Sequence, residues 1–376
     1  MTHPSPPISK IENSALPNCR ALLFNLFRPM KDLLPANRPV LVLAPMQDVT
    51  DLPFMRVMAR FGGPDLYVTE YFRVYESSRI TPYILRSIDE NPTGKPIFAQ
   101  MIGQDIPALL RTVKELEEHP IAGIDLNLGC PAPVVCRKDA GGGLLRNPDK
   151  VDRILGALRE AVQGRFTVKT RVGYEDPSEF AALLSVSQRH KIDALAIHGR
   201  TVKERYQSPV HPECIRRAVE VMPCPVIANG NVVNVETGLS VLDQTGAAGL
   251  MLGRGAIRNP WLFDQLRAAF TGQEIPGRSG QDLLDYIEAL WEETAREQRK
   301  VYRGDKQVHK MKRYVAYITQ GLDPAFDHDI LRAKEEEEFF RICRQHLGHD
   351  DAVPDLPQEE SRRFCGFAEL LPTSRN

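Results

Sequence analysis

Between Val40 and Phe270, short apolar runs alternate with longer stretches whose apolar positions recur at helical spacing. The runs are Val40 to Met46, Leu66 to Phe72, Pro96 to Gly103, Gly123 to Cys130, Phe166 to Val172, Ala194 to Gly199, Pro225 to Asn229 and Gly249 to Gly253. Each is rich in leucine or β-branched residues and lacks polar alternation, the pattern of a strand buried on both faces of a parallel sheet. Eight such runs, each followed by a helical stretch, predict an α/β fold of the (β/α)8 barrel type. A doubly wound open sheet is the competing arrangement.

Helix starts agree with the alternation. Asn147-Pro148 and Asn259-Pro260 each offer an N-cap followed by proline at the first helical position, and Asp176-Pro177-Ser178-Glu179 has the form of a capping box. Beyond a glycine-bearing linker at Thr271 to Gly280, Leu283 to about Leu347 has helical periodicity and no strand pattern. The expected organisation is an N-terminal extension over 1–38, a barrel over 39–272, a smaller all-helical domain over 279–347 and an acidic, mobile tail over 348–376. A short amphipathic piece around Leu22 to Leu34 is expected either to plug the barrel bottom or to be partly disordered.

Composition narrows the class. Lys and Arg number 48 against 49 Asp and Glu, for a net charge of −1, and 42% of residues are hydrophobic. That is an ordinary globular balance, which excludes wholesale disorder, a collagen-like chain and a membrane bundle, and confines any nucleic-acid site to a local basic face. The seven cysteines form no C-x-x-C pair and no zinc-like quartet, so a reduced compartment and no metal are expected. Ala21 to Phe27 is too short to span a membrane, and the chain is read as cytoplasmic.

Polar residues gather where the predicted strands end. In order these are Pro45-Met46-Gln47, Glu70, Gln100, Asn127 with Cys130, Lys169 with Arg171, His198 with Arg200, Asn229-Gly230, and Gly253-Arg254. Buried lysine, histidine and amide groups each cost desolvation unless a ligand or a network satisfies them, so a ligand in the barrel mouth is implied. Asn229-Gly230-Asn231 and Gly253-Arg254-Gly255 follow the last two strands, and their glycine turns read as a phosphate site. Lys169 has three readings: a Schiff base, an ion pair, or positive charge against an electron-rich ring such as a reduced flavin, with Gln100 and His198 holding the same ring. Cys130 stands in a turn forced by glycine and proline, and as a thiol it serves as proton donor or nucleophile.

Six ordered motifs resemble the tRNA-dihydrouridine synthases. They are Ala44-Pro-Met-Gln-Asp-Val-Thr-Asp51, Asn127-x-Gly-Cys130-Pro131 with its Arg-Lys-x-Ala-Gly loop, Val-Lys169-x-Arg171, His198-Gly-Arg-Thr201, Ala-Asn229-Gly230 and Gly253-Arg254-Gly255. The resemblance implies a TIM barrel with FMN in its mouth, NADPH as reductant, and reduction of the 5,6 double bond of particular uridines in tRNA, in the D-loop. It also implies that Pro45, Met46, Gln47, Gln100, Lys169, His198, Asn229, Gly230, Asn231, Gly253 and Arg254 hold FMN and that Cys130 is the general acid. Asn127, Arg171, Arg200 and Tyr206 would face the uracil, in a monomer.

Between Arg296 and Arg313 stand eight cationic residues against two acidic ones. That excess is read as a surface for the RNA backbone, carried by Arg299, Arg303, Lys310 and Arg313. Two rival readings remain at this level. One is a barrel flavoenzyme acting on a free pyrimidine, which leaves the basic run unexplained. The other is an RNA-binding module without redox chemistry, which predicts loss of Cys130 or Lys169.

Overall fold

A computed structural model of the chain describes residues 29–297, 305–359 and 361–371. The described residues form nine strands: β1 (Val40–Leu43), β2 (Leu66–Val68), β3 (Phe72–Val74), β4 (Ile97–Gly103), β5 (Gly123–Asn127), β6 (Phe166–Arg171), β7 (Ala194–His198), β8 (Val226–Asn229) and β9 (Gly249–Leu252). All pairings are parallel, in the order β2-β1-β9-β8-β7-β6-β5-β4-β3, and β2 also pairs with β4. That last pairing closes an eight-stranded (β/α)8 barrel ringed by helices, with β3 an extra strand on the end of β4. Each predicted run holds one barrel strand.

Side chains alternate along a strand, so inward positions climb the barrel two residues at a time. The lower layers are apolar: Val40, Val42, Leu66, Phe98, Ala196, Ile227 and Met251 form one interior cluster. The 3-10 turn Met30–Leu33 lies beneath, with Met30 only 6% exposed and packed into that cluster. Two residues higher, Phe98 gives way to Gln100, Ala196 to His198 and Ile227 to Asn229, and the interior becomes polar at the C-terminal ends of the strands. The shift from oil to hydrogen bonds thus follows from strand periodicity alone.

Two local expectations differ. Asn147 caps Pro148–Ala161 through Lys150 N, but Asn259 caps nothing. It is fully buried, its amide donates to Gln265 Oε1 at 2.7 Å, and the helix starts at Leu262. At Asp176, the side chain accepts from Ser178 N, whereas Glu179 turns to the amides of Tyr174 and Glu175 instead of closing a capping box.

The helices Gly280–Arg296, Asp305–Ile318, Pro324–Ile330 and Glu336–Leu347 pack together beside the barrel. Phe54 stacks on Tyr314 across this junction at 5.9 Å, and the Tyr286 hydroxyl donates to Ile257 O. Lys310, expected on the RNA face, is a correction. It is 1% exposed and donates to Asp48 O at 2.7 Å and Asp51 Oδ2 at 2.8 Å, so it fastens the helices to the loop after β1 and cannot meet a phosphate. Arg313 reaches the same loop through Asp48 at 2.9 Å, though it stays exposed. Arg299 and Arg303 lie outside the described residues.

The tail also departs from expectation. Residues 349–359 and 361–371 lie along the helices and across the barrel top because buried arginines collect their carbonyls. Arg258 donates to Pro354 O, Asp355 O and Leu356 O at 2.7–2.9 Å, and Arg278 to Pro354 O at 3.0 Å. Among the described residues no helix is long and apolar enough to cross a membrane, and no cluster of metal-binding side chains occurs.

The buried Lys310–Asp51 pair supports a stability prediction. Lys310→Met leaves Asp51 without its cation and should lower unfolding free energy by about 3 kcal/mol in urea denaturation. The double variant Asp51→Asn/Lys310→Met should recover part of that loss; equal stability of the single variant and the unaltered protein would exclude the anchor.

Candidate active site

The polar end of the barrel opens into a cavity of about 620 Å³, within the range of small-molecule sites. Lys169, Arg171, Arg205, Arg254, Arg362 and Arg363 line it together with His198, and among the described residues no carboxylate does. The floor is a hydrogen-bonded network. Gln100 Nε2 donates to Asp125 Oδ2, Thr167 Oγ1 donates to Asp125 Oδ1, and Asn127 Nδ2 donates to Gln100 Oε1, all within 2.8 Å. Register places Asn127 beside Lys169 and His198 between Arg171 and Asn229.

Lys169 donates to Asn229 Oδ1 at 3.0 Å, and Asn229 Nδ2 is tied to Met251 O. Burial, and then the Arg171 charge, push the Lys169 ammonium down to about 8. Burial also holds His198 well below its usual range, reinforced by Arg171, Lys169, Arg200 and Arg254, so its ring is neutral at physiological pH. His198 Nδ1 is buried with no partner, as is Gln47 Oε1. Gly230 adopts φ +126°, and a Cβ there would come within 2.8 Å of Val210 Cγ1. Asp48, Arg205 and Asn231 hold left-handed φ values of 54–57° around the same rim, a strained conformation for non-glycine residues.

Cys130 follows β5 in a turn set by Asn127, whose Oδ1 accepts from Gly129 N at 3.0 Å and Cys130 N at 2.9 Å. Arg171 Nε pins the same turn through Gly129 O. Cys130 packs against the apolar cluster that holds Tyr71, and burial with the nearby cysteine pushes the Tyr71 hydroxyl up to about 12. Tyr206 covers the cation cluster, its ring 5.1 Å from Arg171, 4.8 Å from Arg254 and edge-on to His198 at 5.8 Å.

Most sequence-chosen residues line one cavity: Pro45, Met46 and Gln47 from the loop after β1, Asn127 at the end of β5 with Cys130 just beyond it, and Lys169 and Arg171 from β6. His198, Tyr206, Asn229, Gly230, Asn231, Gly253 and Arg254 complete it. Of the residues chosen to hold FMN or to face the uracil, two do not line it. Gln100 is fully buried beneath Asn127. Arg200 is fully buried as well, donating to Ser208 O, Asn231 Oδ1 and Cys365 O, so it braces the rim instead of facing a substrate. Tyr71, Tyr317, Arg362, Arg363 and Phe364 also line the cavity and were missed. Tyr71 directly follows the flagged Glu70, but the other four arrive from the helices and tail with no local motif.

A sequence profile described as Dihydrouridine synthase (Dus) matches residues 42–347. A "Probable tRNA-dihydrouridine synthase" of Rhodobacter capsulatus is 34% identical over 68% of this chain and 79% of its own length. A "tRNA-dihydrouridine(16) synthase" of Neisseria meningitidis is 30% identical over 82% of this chain and 95% of its own length. A "tRNA-dihydrouridine synthase B" of Xanthomonas axonopodis is 33% identical over 67% of this chain and 77% of its own length.

Lys169 makes stability depend on pH. Its folded value of about 8 lies below the ordinary 10.5, so between these the unfolded chain keeps a proton that the folded chain has released. Stability of the ligand-free protein should therefore rise with pH across that window, the penalty being fully present below about 8. Thermal melts compared with Lys169→Met isolate this contribution. An identical pH profile in the variant would show that Lys169 keeps its ordinary proton affinity.

Proposed function

The chain belongs to the dihydrouridine synthase family, and from that membership we propose that it reduces the C5–C6 double bond of a tRNA uridine with FMN as cofactor and NADPH as electron source. The observation that carries this reading is the convergence of Lys169, His198, Arg254 and Cys130 on one cation-rich cavity. Such a cavity fits a flavin phosphate and an electron-rich ring: it lacks carboxylates among the described residues, holds the unpartnered His198 Nδ1, and has at its rim Gly230, whose φ of +126° favours glycine. When bound, the flavin supplies hydride for C6 of the uracil.

The residues of the chain do the rest. Asn229, Gly230, Asn231, Gly253 and Arg254 take the phosphate end, as the turns after the last two barrel strands do in phosphate-binding barrels. Lys169 and the neutral His198 present a cation and hydrogen-bonding nitrogens to the ring, beside Pro45, Met46 and Gln47. Gln100 acts from below by fixing Asn127, and Asn127 fixes the Cys130 turn. Cys130 holds a proton on Sγ at the cavity edge and gives it to C5 as negative charge develops there, so that hydride and proton together saturate the bond. Arg171 and Tyr206 stand over the uracil, which must leave its RNA stack to enter.

The helices beside the barrel, with Arg313, Lys306 and the segment containing Arg299 and Arg303, are the proposed contact for the RNA backbone. Between the Rhodobacter and Neisseria relatives, the likeness runs further along this chain for the one named for position 16, which supports a D-loop uridine as target. Mapping dihydrouridine by mass in tRNA from a deletion strain tests the target; unchanged D-loop uridines would exclude it.

Cys130→Ala should retain FMN and its reduction by NADPH while slowing reoxidation by unmodified tRNA about 10²- to 10⁴-fold, the usual contribution of a general acid. Cys136→Ala should match the unaltered protein. Rapid-mixing flavin absorbance follows both half-reactions, and reoxidation of Cys130→Ala at the original rate would assign the proton to another group.

A further inference from the structure

The stretch matched by the family profile ends at residue 347, yet the residues that follow come back to the barrel mouth. Val353 N donates to Arg278 O, and the next carbonyls are taken by Arg258. Ser361 Oγ then donates to Gln320 Oε1, and the chain crosses the phosphate end of the cavity. There Arg254 Nη1 donates to Arg363 O, while Arg200 Nη2 and Asn231 Nδ2 both donate to Cys365 O, at 2.9 and 3.2 Å. The Phe364 ring lies 5.6 Å from the Arg254 guanidinium, with the Tyr206 ring 4.8 Å from the same group.

This segment is seated as firmly as a core element. Phe364 and Phe367 are each 1% exposed and pack with Val233, the residue two positions after the Asn231 turn. Gly366 has φ +74°, and a Cβ there would lie 2.8 Å from Pro209 N and Ser208 O, so the close approach to that loop requires glycine. Arg362 and Arg363 remain exposed and line the cavity.

We propose that residues 361–367 form a strap that closes the phosphate end of the cavity and retains the phosphate-bearing cofactor. The proposal rests on the FMN reading above and adds to it the element that controls cofactor exchange. Arg254 is the link, because its guanidinium packs against the Tyr206 ring and also against the strap's Phe364, and donates to the strap's Arg363 carbonyl. Lifting the strap frees that guanidinium and opens the phosphate end to water, so both retention of FMN and preference for a phosphorylated flavin depend on it. Arg362 and Arg363 add cationic charge on the wall facing the anion.

The full-length protein with Phe364→Ala, and separately with Gly366→Val, tests this. Fluorescence of released flavin gives the off-rate, and titration gives affinity for FMN and for riboflavin, which lacks the phosphate. Each variant should release FMN at least about tenfold faster and lose about tenfold of the preference for FMN over riboflavin. Unchanged release and unchanged preference overturn the strap. Loss of tRNA affinity at matched salt with FMN release unchanged also overturns it, and assigns the segment to RNA. If the unaltered protein binds no FMN, the reading of the site itself fails, and the strap falls with it. A measurement on the unaltered protein is independent of how the variants fold: amide hydrogen exchange within 361–367 should slow when FMN is added, and unchanged exchange counts against the proposal.

Discussion

The constraint on which the mouth of this barrel depends is the gathering of like charge in a poorly solvated space. Lys169, Arg171, Arg200 and Arg254 all surround His198, and each lowers the proton affinity of its ring. Their partners are mostly carbonyls and amides: Arg171 holds Thr201 O and Arg205 O, Arg200 holds Ser208 O and Cys365 O, and Lys169 holds Asn229. Dipoles satisfy the donors without cancelling the charge, so a positive field persists in the cavity. An anion entering it meets preorganised donors, and the neighbouring imidazole stays neutral for hydrogen bonding.

Neutral scaffolding lets the cations stay close. The strands fix their spacing through the parallel register, and Asp125 lies beneath them, bonded to Gln100 and Thr167. Burial drives the Asp125 carboxyl upward, opposed by those bonds and by Lys169. The same side chains set the Cys130 turn, since Asn127 is held from below by Gln100 and itself holds the amides of Gly129 and Cys130. The cavity floor and the placement of the Cys130 thiol are therefore one network, and a change in the floor reaches both.

Arginine has a second use around this core, as a collector of backbone carbonyls. Arg258 alone takes four, from Gln320 and from the segment Pro354 to Leu356. Burial pushes its guanidinium down to about 9, yet the planar fork suits several carbonyls converging on one point. This is how an acidic, proline-bearing segment with few apolar anchors is brought onto the barrel, and how the far end of the chain reaches the mouth.

The eight barrel strands and the polar rim were legible in the sequence, because each depends on periods of two residues or on residues adjacent in the chain, whereas the extra strand β3 and the early ends of β1, β2 and β5 were not. Pro45 to Gln47, Asn127 with Cys130, Lys169, His198, the Asn229 turn and the Gly253 turn all sit at strand ends, where local pattern and position coincide. The fates of the arginines and lysines were not legible. Lys310 and Arg200 have the composition of ligand-binding residues, but their depth is set by what packs over them, Asp51 in one case and Cys365 with Ser208 in the other. Gln100 was placed on the correct strand and one layer too high, because the sequence carries no measure of barrel depth. Tyr317 and Phe364 carry no motif at all; tertiary structure alone put them at the cavity, since contacts between distant segments follow from how helices and tail dock on the barrel rather than from any local period.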